Sequence, residues 1–201
     1  MSHCYRNIVR KTVFWPAYCD ENMYRLAGEL PKTMPCYIMF ISNPDKAVEM
    51  HHQSTEKIAN GRPDVPVGTD TTIVWDYHVV MICKCTGNWT IYDTSTTLEN
   101  PSPLKVWLRE TFPSISRTTH RQPLFKLVPR EFYLTDFTSN RTTLSGKKID
   151  PQYYPPWPII KNRTDVSSNL EDYTNMDRRL NIKGRVFDYY QLIEFLFAKQ
   201  Q

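Results

Sequence analysis

The chain has 201 residues, 40% of them hydrophobic, which suffices for one core and so for a single domain spanning 1–201. Its 25 basic and 21 acidic residues leave a formal charge of +4 spread along the whole length, without the clustered Lys/Arg stripe of a nucleic-acid binder. No apolar run approaches the ~20 residues that cross a bilayer, and Met1 to Lys11 is polar and basic with no apolar stretch behind it, so neither a membrane span nor a cleaved secretory leader is expected.

In chain order the elements read as α+β, with no internal repeat. Cys19 to Leu30 is predicted helical, starting just after Pro16, with Met23, Leu26, Ala27 and Leu30 at helical spacing and Pro31 ending it. Cys36 to Ile41 reads as a short buried strand, and Met50 to Gly68 as a polar surface loop with a helical turn. Thr72 to Lys84 is rich in β-branched and aromatic residues, and Asn88 to Asp93 forms a second strand joined to it by a Thr86-Gly87 hairpin turn. Leu104 to Phe112 and Tyr189 to Lys199 are amphipathic helices, the latter expected to pack on the sheet, and Phe125 to Val128 is another short strand. Fifteen prolines against six glycines predict stiff connections, above all Pro151 to Pro158, expected near polyproline II and packed by its aromatics as a wrapping loop.

Five cysteines, an odd number in a chain without a secretory leader, point to a reducing compartment in which the thiols stay free, hence to the cytoplasm and also the nucleus. The Asn-x-Thr triplets at Asn88, Asn140 and Asn162 are then incidental. Metal ligation finds little support. Cys83-x-Cys85, His51-His52 and His3-Cys4 offer soft ligands, but none has the paired-knuckle spacing of a structural zinc site, and His120 lacks an acidic or cysteine partner.

The chemistry concentrates in Trp75-Asp76-Tyr77-His78-Val79 and Asp93. A two-residue turn at Thr86-Gly87 sets Val80 opposite Asp93 and His78 opposite Ser95, which makes His78 and Asp93 diagonal neighbours roughly 7–8 Å apart at the backbone, within reach of a side-chain hydrogen bond. A one-residue slip would separate them. In the same register Asp76 shares their face, while Trp75, Tyr77, Val79, Met81 and Cys83 face the core. Cys19, at a helix start, has unpaired backbone N–H groups nearby that favour a thiolate and bind an oxyanion. Cys4, Cys36, Cys83 and Cys85 read as structural. The order Cys19, His78, Asp93 is that of a thiol nucleophile, a base and the acid that orients it.

These residues resemble a known family. Trp75-Asp76-Tyr77-His78-Val79 is the motif for which the protein N-terminal glutamine amidohydrolases are also called WDYHV proteins. The likeness extends to Tyr18-Cys19-Asp20-Glu21-Asn22, Ile91-Tyr92-Asp93, Phe137-Thr138-Ser139-Asn140-Arg141, Pro155-Pro156-Trp157-Pro158 and Asn169-Leu170-Glu171-Asp172-Tyr173 with Met176-Asp177. Asp20 departs from it, standing where a longer acid is expected, and Ser139-Asn140-Arg141 matches only approximately. The resemblance implies a monomeric enzyme without metal or cofactor and with a papain-like or transglutaminase-like core. That enzyme converts the N-terminal glutamine of proteins and peptides to glutamate and primes them for the N-degron route. It implies Cys19 as nucleophile, His78 as base and Asp93 as orienting acid, acting through a thioester. Restriction to a chain's first residue requires a carboxylate for the α-ammonium, with Asp76 and Glu21 as candidates. Acids in a helix's first turn also occur merely to complement the dipole. The competing readings are a papain-like protease or transglutaminase acting on internal amides, and a non-catalytic peptide-binding module.

Overall fold

The computed structural model describes residues 12, 14–54, 72–115, 122–142, 148–180 and 182–198. The first helix, α1 (Cys19–Glu29), forms where the apolar spacing predicts it and buries Met23, Leu26 and Ala27. It stops at Leu30, which is extended (ψ 148°), because Pro31 disfavours the helical conformation in the residue before it. Eight strands follow in two sheets: β1 (Cys36–Ser42), β2 (Val48–Met50), β3 (Ile73–Trp75), β4 (His78–Cys85), β5 (Asn88–Tyr92), β6 (Ser102–Pro103), β7 (Leu124–Pro129) and β8 (Arg185–Phe187). Interleaved with them are helices α2 (Leu104–Thr111), α3 (Arg130–Asp136), α4 (Leu170–Thr174) and α5 (Tyr189–Phe197). Of the predicted loop from Met50 to Gly68, residues 55–68 lie outside the described residues, as do Cys4, His3, His120 and Lys199.

The main sheet is antiparallel in the order β6-β5-β4-β1-β7-β8, and β2 and β3 form a separate pair. Both faces of the main sheet are covered. On one side Ile38, Phe40, Val79, Met81 and Val128 pack under α1, together with Tyr133 of α3 and Tyr173 of α4. On the other, Met39, Ile41, Val80, Ile82 and Phe125 pack under Trp107 of α2 and Leu192 and Leu196 of α5. Double coverage explains why β1 and β4 read as near-continuous apolar runs, since both faces of each strand are buried apart from Tyr37 and Lys84 toward their far end. It also corrects the expectation that only one face of the His78 strand enters the core.

The run predicted as one strand from Thr72 to Lys84 is broken at Asp76-Tyr77. The Asp76 carboxylate accepts the Tyr77 N–H (2.8 Å), and its carbonyl accepts from Ser42 Oγ (2.6 Å), so side-chain bonds, one local and one from β1, replace the ladder there. β3 consequently pairs with β2, and Trp75 joins the α2/α5 side of the core, away from Tyr77. The hairpin beyond keeps the expected register: Met81 pairs with Tyr92 and Cys85 with Asn88 around Thr86 (φ 46°) and Gly87 (φ 86°), a left-handed pair that matches the twist of the strands.

Two further expectations are corrected. Cys36 and Cys83 are not free thiols: the β1–β4 register sets them directly opposite, Cα atoms 4.1 Å apart, and a disulfide joins them. Cys85 is disulfide-bonded as well, and Cys19 is the free cysteine among the described residues. The proline stretch begins as a 3₁₀ turn (Pro151–Tyr153) and turns extended only from Tyr154, while Trp157 is buried as its packing aromatic.

One buried cation carries a pH signature. Lys126 on β7, 1% exposed, donates to the Asp172 carbonyl at 2.7 Å, and burial pulls its pKa down to about 8 against the opposing pull of Asp172. Between about pH 8 and the ordinary lysine pKa near 10.4 the unfolded chain therefore binds the extra proton, and stability gained from this group rises with pH. Denaturant melts at pH 7.5 and 9.5 will show this rise, on the order of 1–2 kcal/mol over that window, in the wild type relative to Lys126→Met. Equal changes in the two proteins would refute it.

Candidate active site

The β4–β5 register delivers what the sequence pattern anticipates at its carboxyl end. Asp93, one residue past β5, accepts from His78 Nε2 at 2.9 Å, with neither side chain exposed to solvent. Burial works against the Asp93 charge. The positive charge and hydrogen bond of His78, the Ser95 N–H (2.9 Å) and Gln53 Nε2 (3.2 Å) outweigh it and hold the carboxyl below the ordinary carboxylate range. Trp107 Nε1 adds a further bond to the second oxygen at 3.1 Å, and Asn100 Oδ1 accepts the Asp93 N–H. Gln53 and Trp107 escape sequence reasoning: one follows a polar His-His pair and the other is a helix-core aromatic, and only packing turns their N–H groups toward Asp93.

The Asp93 carboxylate can only accept, so the proton it shares with His78 sits on Nε2 and Nδ1 is the nitrogen left for other partners. Nδ1 is buried and has no hydrogen-bond partner among the described residues. Trp75 stacks on the ring, centroids 4.7 Å apart and planes 23° from parallel, an arrangement possible only because the chain bends at Asp76. The imidazole is thus held by one edge and one face and keeps one nitrogen for chemistry.

Cys19 is the first residue of α1, presented by a tight approach in which Ala17 has φ 63°. Reciprocal bonds between Asn22 and the Trp15 backbone (2.7 and 2.8 Å) close this approach loop onto the helix it precedes. The thiol lies against the start of β4, where the Val79 N–H, next to His78, and the Asp20 N–H both reach it. Yet burial raises its pKa well above the ordinary value, and the charges of Asp20 and then Asp76 raise it further. The helix start therefore does not make a thiolate of the resting cysteine: two N–H donors are outweighed by desolvation and two carboxylates.

The acids around the thiol divide into two roles. Glu21, fully buried, accepts from Arg141 Nε (3.0 Å) and Nη2 (2.9 Å) and from Trp157 Nε1 (2.7 Å), so both of its oxygens are engaged. The structure places this candidate for the α-ammonium contact in a buried ion pair that pins Arg141 and Trp157 to the helix of Cys19. Asp76 is exposed at its surface edge and accepts the Tyr77 N–H, while partial burial raises its carboxyl against that bond. Asp20, which accepts the Glu21 N–H, is buried and carries a carboxyl pushed up to about 7, by desolvation first and by Glu21 second. A cavity of about 280 Å³ opens on the other flank of Cys19, lined among others by Phe14, Trp15, Trp75, Ser95 and Asn100, with no charged side chain in its wall. Among the described residues no three His, Cys, Asp or Glu side chains gather as a metal-holding group.

A buried cysteine at a helix start, set beside a strand whose histidine is oriented by a carboxylate, has the layout of a thiol hydrolase on an α+β fold. A sequence model of the N-terminal glutamine amidase family matches residues 14–196, and the chain belongs to that family. It is similar to proteins named protein N-terminal glutamine amidohydrolase. The one from Drosophila mojavensis is 28% identical over 190 residues, 90% of this chain and 86% of the relative. The one from Danio rerio is 28% identical over 198 residues, 93% and 90%, and the one from Drosophila erecta 31% over 156 residues, 72% and 70%.

The Glu21–Arg141 pair makes a direct prediction. Arg141→Met strands a carboxylate in the core and will lower unfolding free energy by about 3–5 kcal/mol, whereas the double change Glu21→Met, Arg141→Met will cost less than the single one. Urea denaturation of the three proteins decides it, and a double variant no better than Arg141→Met would show that the pair is not the source of the loss.

Proposed function

We propose that this protein deamidates the N-terminal glutamine of proteins and peptides to glutamate, with Cys19 as nucleophile, His78 as base and Asp93 as orienting acid. The observation that carries the reading is the His78 imidazole, pinned at Nε2, stacked by Trp75 and left with a free Nδ1 one residue from the backbone N–H that contacts the Cys19 thiol. The helix-borne cysteine and strand-borne histidine support a papain-like or transglutaminase-like ancestry for the core, as part of the same proposal.

In this mechanism the glutamine carboxamide enters the uncharged cavity, a wall that accommodates a neutral amide without burying a charge. The thiol proton passes to His78 Nδ1 as sulfur attacks the carboxamide carbon, and the N-terminus of α1, where Cys19 sits, faces the developing oxyanion. His78 returns the proton to the leaving nitrogen, ammonia departs and a thioester remains. His78 then takes a proton from water, whose oxygen attacks the thioester, and the sulfur leaves to recover that proton as glutamate is released.

The substrate's α-ammonium goes to Asp76, the exposed acid of the Cys19 surroundings, with the buried Asp20 as the second carboxyl acting on the thiol. Neutralising these charges removes two of the influences that raise the thiol's pKa, burial being the first and unaffected, so a bound N-terminus shifts the balance toward the thiolate. An internal glutamine brings no such charge. The reading also takes in a monomer with no cofactor, action in the cytoplasm and nucleus, and the priming of substrates for the N-degron route. No helix among the described residues is long and apolar enough to cross a membrane.

Short peptides with N-terminal Gln, N-terminal Asn or internal Gln test the assignment through ammonia release. Only the first will react, and Cys19→Ala will lose at least about 10³-fold in rate while keeping its fold. Release from internal Gln would favour a protease or transglutaminase, and binding without release would favour a peptide-binding module. Asp76→Asn separates charge from chemistry: iodoacetamide will alkylate the resting Cys19 faster at pH 7.5, while KM for the N-terminal Gln peptide rises about 10-fold. An unchanged KM would remove Asp76 as the ammonium partner.

A further inference from the structure

The chain has five tryptophans, and the fold provides an acceptor for the indole N–H of all but one. Trp15 donates to the Tyr153 carbonyl (2.8 Å), Trp89 to the Leu196 carbonyl (2.9 Å), Trp107 to Asp93 (3.1 Å) and Trp157 to Glu21 (2.7 Å). The exception is Trp75, whose Nε1 is shielded from solvent and has no partner among the described residues. A buried indole N–H ordinarily finds an acceptor, because its lost hydration is otherwise not made good. This unmet donor belongs to a residue in the wall of the 280 Å³ cavity at Cys19. The same indole stacks on His78, centroids 4.7 Å apart, and His78 Nδ1 is likewise buried without a partner among the described residues. One stacked pair of rings therefore holds an unused donor and an unused acceptor. A primary carboxamide is the complement of that pair, since its oxygen accepts and its nitrogen donates. The reacting groups are covered in the resting site, Cys19 at 6% exposure and His78 at 0%. A carboxamide that reaches the thiol through the cavity therefore passes the indole in its wall.

We propose that the Trp75 indole N–H donates to the oxygen of the substrate's side-chain carboxamide and stabilises the negative charge that gathers there when the Cys19 sulfur attacks. The proposal rests on the N-terminal glutamine reading and deepens it by naming a donor for the reacting oxygen. No proton leaves the indole. As the S–C bond forms, the carbonyl π electrons move onto oxygen, and they return when the C–N bond breaks and ammonia departs. Attack of water on the thioester loads the same oxygen a second time, so one donor serves both halves of the reaction. The indole is suited to this place because it donates without carrying a charge, and so adds no cation beside Asp20 and Asp76. It is also held in advance: Trp75 pairs with Val48 in the β2–β3 ladder, and its ring lies against the imidazole that Asp93 fixes. A donor set before the charge develops needs no reorganisation during the reaction.

Steady-state ammonia release from Gln-Ala-Ala by wild type, Trp75→Phe and Trp75→Leu separates the N–H from the ring that carries it. Phenylalanine keeps an aromatic face on His78 but has no N–H, so Trp75→Phe will lose about 100-fold in kcat while KM changes by less than about twofold. Trp75→Leu gives up the stack as well and will be slower still. A second measurement keeps Trp75 in place. In Cys19→Ala labelled at its indole nitrogens, the N–H resonance of Trp75 is the one missing from the same protein with Trp75→Phe. Saturating Gln-Ala-Ala will move that resonance downfield, whereas norleucine-Ala-Ala, which has no carboxamide, will not. A Trp75→Phe enzyme with kcat within about threefold of wild type would overturn the proposal, because the ring alone would then suffice. So would a resonance that ignores the glutamine peptide or answers both peptides alike. Absence of ammonia from the wild type would remove the underlying reading instead, and the two failures are distinct.

Discussion

Everything at the sheet's working end depends on keeping a charged carboxylate at Asp93 in a place where 1% of the residue meets solvent. Such a charge survives only if donors replace water, and four do so: His78, Ser95, Gln53 and Trp107. The same bonds fix the geometry. Trp107 ties Asp93 to α2, Gln53 ties it to the segment after β2, and the Asn100 side chain holds its backbone. The imidazole is positioned because Asp93 cannot move without leaving a buried charge unpaired.

A buried ion pair does for the cysteine's helix what Asp93 does for the histidine. Glu21 lies two residues after Cys19 and is clasped by Arg141 and Trp157, which belong to segments more than a hundred residues downstream. Arg141 also lies over the rings of Tyr18 and Tyr154, and Arg25 over Trp157, so a cationic and aromatic layer seals the first turn of α1. Arg141 and Trp157 thereby brace the helix that carries Cys19. Both side chains are spent inside the protein, in keeping with a wrapping segment.

The electrostatics of the two halves oppose each other. Asp93 sits in a shell of donors and stays ionised, whereas Cys19 sits among carboxylates and stays protonated. Under the proposed function, a site that rests with its thiol neutral and is relieved of two nearby negative charges when a cation arrives is suited to discriminate by charge as well as by shape.

Much of this was legible along the chain. The apolar spacing and Pro31 set the bounds of α1, and Thr86-Gly87 set the hairpin register, because a two-residue turn with left-handed residues admits one pairing. That register alone joins His78 to Asp93. Other features are invisible at that level. The break at Asp76 comes from Ser42, on a strand more than thirty residues away, and it puts Trp75 over the imidazole. The Cys36–Cys83 bond follows from the pairing of β1 with β4, which no count of cysteines reveals. Whether Glu21 is a free acid or an anchored one depends on Arg141, and whether the helix start activates Cys19 depends on how deeply it is buried and on which acids surround it. Local pattern determines elements, turns and the pairing of adjacent strands, since these are set by neighbours in the chain. Burial and charge balance are sums over residues that only folding brings together, and they were decided by the tertiary structure.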